Sequence, residues 1–260
     1  MTHTGDHHAP EGLRTRGTVI VVPGRGETRA TYARLGARLA YDAYRVRVVD
    51  PPPATSVLTG LAAQLTEAVE GIAAEQQEGL PRPLVLVGAD LGAAALSALL
   101  ATPLATPLAT APLHDVWWPD GVVLAGLPAT GTRQDASWED ELDVRTSCPT
   151  HRGVLTGDEQ VRRGALATVL PQDLLDAAYA NTTGIPHLLL TGDADPLADL
   201  GAITAAAKTL PKARLAVVRG AHHDVLNDLQ HRSVAAEIVT FLEALRENLV
   251  PAVTVETTTW

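Results

Sequence analysis

The feature that most constrains the fold is an alternation of short apolar runs rich in Val, Leu and Ile with longer segments of helical period. The runs are Thr18 to Val22, Tyr44 to Val49, Pro83 to Val87, Gly121 to Ala125, Ile185 to Leu190 and Arg214 to Val218. Runs apolar at nearly every position suit strands covered on both faces, and intervening helices suit crossover connections. We therefore expect an α/β fold with a mostly parallel sheet of about six core strands and helices on both faces.

Between the runs, Arg29 to Tyr41, Val57 to Glu75 and Leu91 to Leu100 place apolar residues three and four apart, as helices do, and Val225 to Asn248 reads as a long closing helix. Two stretches break the alternation. Ala101 to His114 carries the near-repeat ATPLATPLATAPL, whose prolines oppose a regular helix, and reads as a surface connection. Leu127 to Asn181 is too long for a simple crossover and reads as a small lid, with helical material at Asp158 to Leu170 and Gln172 to Ala180. The expected organisation is a flexible, solvated N-terminus over residues 1–16, one domain over 17–250 with the lid at about 127–181, and a C-terminal tail over 251–260.

The 260 residues are 46% hydrophobic but only 3% aromatic, so the core must be assembled from Ala, Leu and Val. A net charge of −10 argues against nucleic acid or an anionic membrane surface as partner, since both call for clustered Lys and Arg. The expected partner is a small, neutral, lipophilic molecule. No run reaches the about 20 apolar residues of a membrane span, nor does the N-terminus hold a signal-peptide core, so the expected location is cytoplasmic. The lone Cys148 allows no intrachain disulfide and reads as a small buried residue.

The stretch PLVLVGADLGAAALSALL runs from a buried strand through Gly88-Ala89-Asp90-Leu91-Gly92 into a helix. Small residues flanking a tight strand-to-helix turn display the central side chain at the carboxyl edge of the sheet, beside a helix N-terminus. Asp90 is that side chain. Alone the motif is weak, because Asp is also a preferred helix N-cap. Downstream, one strand runs into Thr191-Gly192-Asp193-Ala194-Asp195-Pro196 and the next into Gly220-Ala221-His222-His223-Asp224. The order is nucleophile, acid, histidine, each just after a strand.

That order resembles the α/β-hydrolase family from about Thr18 to Asn248. The segment VVPGRGETRATYARLGARLAYDAYRVRVVD is similar to the first half of lysophospholipase and monoacylglycerol-lipase-like members, with Pro23 in place of the usual His of an HGxGE-type loop. The resemblance implies Asp195 as the acid, because it precedes a proline, and His223 as the histidine, because it precedes a D-x-L-N-like helix start. It also implies an oxyanion hole from the backbone N–H groups of Arg25 and Leu91. Asp193 and His222 then read as structural neighbours.

Most members of the fold carry Ser where this chain carries Asp90. A carboxylate is already ionised at neutral pH and needs no base to activate it. Attack on an ester would give an unfavourable mixed anhydride, whereas attack on an sp³ carbon gives a stable alkyl-enzyme ester. At this position the chain resembles epoxide hydrolases and haloalkane dehalogenases. It lacks the Trp that dehalogenases place after the nucleophile, which favours an epoxide over an alkyl halide. The lid offers Tyr179 alone where epoxide hydrolases place two tyrosines, and Arg25 is a second candidate substrate contact.

Other readings stay open: a non-covalent lyase, isomerase or cyclase, an esterase on the same fold, or a catalytically silent ligand-binding homologue. PGRGE lacks the Lys-Ser/Thr of a P-loop and the G-x-G-x-x-G of a dinucleotide fold, so no cofactor is implied. Neither is a metal, because His222, His223 and Asp224 are adjacent on one turn and converge poorly on an ion.

Overall fold

A computed structural model describes residues 5–52, 56–76, 79–101, 114–129 and 137–254. Its sheet has seven strands in the order β1-β3-β2-β4-β5-β6-β7. They are β1 (Asp6–His7), β2 (Gly17–Val22), β3 (Tyr44–Val48), β4 (Leu84–Ala89), β5 (Gly121–Ala125), β6 (His187–Gly192) and β7 (Ala213–Val218). Strands β2 to β7 pair in parallel, as the apolar runs require. The two-residue β1 is antiparallel to β3 and was not expected, since the N-terminal segment reads as solvated. It is held by charge: Asp6 accepts from Arg47 Nε at 2.7 Å and from Arg45 at 3.2 Å.

Strand residues alternate between two cores. Ile20, Val22, Leu84, Leu86, Val122 and Leu124 face one layer, against α2 (Val57–Glu75), α3 (Leu91–Ala101) and α7 (Gln172–Tyr179). Val19, Val21, Val85, Val87, Val123 and Leu188 face the other, against α1 (Ala33–Tyr41) and α9 (His231–Arg246). Helix α3 is buried on all sides, and its alanines let it lie close to the sheet. Its polar Ser97 is satisfied by donating to the Ala178 carbonyl at 2.7 Å. Trp117, in the short α4 (His114–Trp117), packs in the first core, whereas Trp138 stacks with the Arg163 guanidinium at 5.2 Å.

Two expectations are corrected. The closing helix begins at His231 rather than Val225, because residues 225–230 form the turn that carries Asn227 and Asp228 into the interior. In the lid, Asp158 to Leu170 is turn and a single 3-10 turn at Ala165–Ala167, with Gly164 left-handed. Lid helices lie instead at α5 (Trp138–Arg145) and α6 (Pro149–Gly157), together with the expected α7. Most of the near-repeat at 101–113, part of the lid at 130–136, and Trp260 lie outside the described residues. Helix α8 (Leu200–Thr209) completes the fold, and among the described residues no helix is long and apolar enough to cross a membrane.

Chain connections leave β2 in one direction toward β3 and then return to its other side for β4. In parallel sheets such a reversal opens a crevice at the carboxyl ends of the two strands. The loop Pro23-Gly24-Arg25 and the turn at Asp90 meet there.

Candidate active site

Asp90 sits between β4 and α3 with φ +47°, a left-handed conformation that Asp tolerates better than most residues. Its N–H donates to the Ala125 carbonyl at 3.0 Å and its carbonyl accepts from Ala94 at 3.0 Å, so both flanks of the turn are fixed. A Cβ at Gly92 would stand 2.3 Å from the Val22 carbonyl oxygen, and one at Gly88 2.6 Å from the Ala93 nitrogen. Only glycine permits that approach. Leu91, the first residue of α3, is buried at the same turn.

The three residues expected to act together do converge. His223 Nδ1 lies 2.9 Å from Asp195 Oδ2, and His223 Nε2 lies 3.1 Å from Asp90 Oδ1. Asp195 is itself oriented by the Leu197 N–H on its other oxygen, at 2.8 Å. Asp193 accepts from the Gly220 N–H at 2.5 Å and His222 pairs with buried Asp228 at 3.0 Å, so both hold loops in place outside the line. Tyr179 donates to the Pro128 carbonyl at 3.2 Å, and neighbouring Asp199 and Asp195, after burial, raise its pKa to about 12.

Arg25 closes the site from above. Its backbone N–H and its Nε both reach Asp90 Oδ2 at 2.8 Å, and NH2 reaches Oδ1 at 2.8 Å. Its NH1 donates to the Leu166 and Thr168 carbonyls of the lid, at 3.0 and 2.7 Å. The enclosed space bordered by Asp90, His223, Glu27 and Tyr32 is about 10 Å³, room for at most about one water. The 690 Å³ cavity lined by Arg14, Arg16, Arg82 and Arg246 lies at the opposite edge of the sheet.

Burial alone would raise the Asp90 pKa, but the Arg25 charge and the His223 contact outweigh it and hold the carboxyl well below its usual range. Burial likewise opposes protonation of His223, yet Asp195 and then Asp90 push it up to about 10. Both shifts favour a charged pair, an Asp90 carboxylate facing a His223 imidazolium.

Behind this line lies a second buried network that the sequence reading did not pick out. Arg145 donates to Glu141 at 2.8 Å and to the Arg25 carbonyl at 2.7 Å, and stands 3.5 Å from Asp224. Asp224 also meets His151 Nε2 at 2.9 Å. Glu27 accepts from the Gly24 N–H at 2.7 Å and from Tyr32, while burial and the nearby Asp224 raise its pKa to about 7. The available signal was the i, i+4 pair Glu141 and Arg145 and the glutamate of PGRGE. Their convergence with Asp224 is tertiary.

Ligand atoms of Glu27, His151 and Asp224 lie within 4.8 Å of one another. Arg145 already supplies the compensating charge there, which fits a structural network better than a cation site. The His222, His223 and Asp224 side chains turn to three different partners, Asp228, Asp195 and His151. They form no ligand set.

Helix α5 is joined to the histidine loop by backbone hydrogen bonds, His223 N–H to the Val144 carbonyl at 3.2 Å and Asp224 N–H to the Arg145 carbonyl at 2.8 Å. Helix α5 is therefore built onto the loop that carries His223 and Asp224.

The family of serine aminopeptidase, S33, matches residues 14–230, and the chain belongs to this family of α/β-hydrolase enzymes. The family's name specifies a serine enzyme, and the elbow of this chain carries Asp90. Similar solved structures include a monoglyceride lipase from Saccharomyces cerevisiae, at 16% identity and TM-score 0.67 over 92% of this chain and 90% of that one. Another is the monoacylglycerol lipase of Paleococcus ferrophilus, at 18% identity and TM-score 0.66 over 92% and 97%. A carboxylesterase from Bacillus subtilis aligns at 16% identity and TM-score 0.60 over 90% and 85%. These likenesses establish the fold. No curated protein matches the chain by sequence.

Proposed function

We propose that the protein hydrolyses a small lipophilic epoxide, and less readily an alkyl halide, with Asp90 as the nucleophile. The observation that carries the proposal is the line Asp195, His223, Asp90, in which one Asp90 oxygen faces His223 Nε2 at 3.1 Å and the other accepts the Arg25 N–H at 2.8 Å. The two oxygens thus have different tasks. Oδ1 attacks the sp³ carbon, while Oδ2 already lies where the oxyanion of the second step develops.

Attack forms a neutral alkyl ester on Asp90. Loss of that charge removes one of the two carboxylates that keep His223 protonated, and the histidine becomes a usable base once it has given up its proton. Water activated by His223 then adds to the ester carbon, with the Arg25 and Leu91 N–H groups holding the oxyanion. For substrate to reach Oδ1, the Arg25 guanidinium must leave Asp90. In the closed conformation its NH1 also donates to the Leu166 and Thr168 carbonyls.

The same guanidinium favours a second reading, a silent ligand-binding homologue, because an arginine fork on the nucleophile and a 10 Å³ space leave no room for substrate in this conformation. One experiment separates the two. The His223→Gln variant is incubated with epoxides, alkyl halides and activated esters, and its intact mass is measured. A stable adduct mapped to Asp90 from any alkylating member supports covalent catalysis. No adduct, with wild type equally inert, supports the silent reading, and an adduct elsewhere from an ester supports an esterase.

A further inference from the structure

We propose that His223 is the acid of the first half-reaction as well as the base of the second, and that this dual role selects substrates whose leaving oxygen must be protonated, namely epoxides rather than halides. The proposal rests on Asp90 being the nucleophile.

Opening an epoxide creates an alkoxide that needs a proton. The nearby phenols are committed elsewhere: Tyr179 donates to the Pro128 carbonyl, and Tyr32 to Glu27. Arg25 can stabilise negative charge but does not release a proton near neutral pH. His223 differs. Its Nδ1 is fixed on Asp195, while its Nε2, wholly buried and 3.1 Å from Asp90 Oδ1, is not aligned for a hydrogen bond and has no acceptor. A buried donor left without a partner is unfavourable, and a substrate oxygen arriving beside Oδ1 would satisfy it.

The surrounding charges keep that proton in place. Asp90 faces the ring from the elbow, Asp195 from the β6 loop and Asp224 from its own turn, with Arg25 across Asp90 and Arg145 and His151 beyond Asp224. Carboxylates dominate the immediate shell, so the imidazolium is the resting form.

The sequence of bonds balances. An Oδ1 lone pair forms a bond to a ring carbon, the ring C–O bond breaks toward oxygen, and that oxygen takes the Nε2 proton. The site now holds a neutral ester and a neutral imidazole. Water adds to the ester carbon as His223 takes its proton, giving an oxyanion on Oδ2. Collapse expels the diol oxygen, which takes the remaining proton of the Asp90 carboxyl group. Asp90 carboxylate and His223 imidazolium are regenerated, and the net reaction is epoxide plus water to diol. A halide leaves without needing a proton, so its departure gains nothing from His223.

The test compares styrene oxide with phenethyl bromide, which share a carbon skeleton. Intact mass and peptide mapping follow alkylation of Asp90 in the His223→Gln variant. The bromide should label Asp90, while labelling by the epoxide should be slower by about 100-fold or more, the usual contribution of general acid catalysis. Comparable labelling by both, or labelling by the epoxide alone, overturns the inference but leaves Asp90 as nucleophile. Labelling by neither, with inert wild type, removes the underlying reading and the inference with it. Wild type supplies a second readout independent of how the variant folds. Epoxide consumption should fall on the alkaline side as His223 loses its proton, whereas bromide consumption should not fall there, because halide departure leaves His223 protonated and the base of its second step forms only as that proton is lost; parallel falling profiles overturn the dual role.

Discussion

Replacing Asp90 by Asn is nearly isosteric and keeps a residue that tolerates φ +47°, so the backbone at the elbow is not penalised. What changes is charge. Arg25 and Asp90 are 8% and 4% exposed, and three Arg25 N–H groups converge on the carboxylate at 2.8 Å. Removing one partner of a buried pair leaves the other uncompensated, at a cost of about 3–5 kcal/mol. His223 can respond by losing its proton, but Arg25 cannot. At about 2–4 °C per kcal/mol for a domain near this size, Asp90→Asn should lower the melting temperature by roughly 6–20 °C. Arg25→Met should cost a similar amount by stranding Asp90, whereas the double variant should be no worse than either single one. The assay is urea denaturation of all four proteins at pH 7. A coupling energy of about 3–5 kcal/mol is expected, and a value below about 1 kcal/mol, the range of exposed pairs, would refute the claim that the pair is a buried, mutually dependent unit.

Stability should also depend on pH. His223 has a folded pKa raised to about 10, so its contribution is complete below its ordinary value of 6.5 and is lost as pH rises toward 10; His223→Gln should remove that decline in the urea midpoint. His187 is buried with its pKa lowered to about 4, so its contribution is present above 6.5 and lost as pH falls through 4, a loss that His187→Gln should abolish. Arg145→Met should destabilise by about 3–5 kcal/mol and raise amide exchange across 138–157, because Glu141 and Asp224 lose their shared cation; unchanged exchange would show that α5 is held by its backbone bonds alone. Gly92→Ala should deform the elbow, since its Cβ would meet two backbone carbonyls at 2.3 and 2.8 Å, and a circular dichroism melt coincident with wild type would contradict this.

The sequence alone determined the layer architecture and the three residues of the central line. Both are local signals repeated along the chain: apolar runs set the strands, and each of Asp90, Asp195 and His223 follows a strand directly, so a parallel sheet must bring them to one edge. Lid helices were misplaced because α5 is acidic on its surface and lacks an apolar stripe, while Asp158 to Leu170 has apolar spacing without continuing as a helix. Only the tertiary structure decided what Arg25 does. The resemblance to the family implies a backbone donor at Arg25 near Asp90. That its side chain folds back onto Asp90 and ties it to the lid carbonyls depends on groups 65 to 143 residues away. The network of Glu27, Arg145, His151 and Asp224 is likewise non-local. Periodicity records which way a side chain faces, but the pairing of buried charges is settled by distances of a few ångströms between elements remote in the chain, where burial makes each unpaired charge too unfavourable to remain.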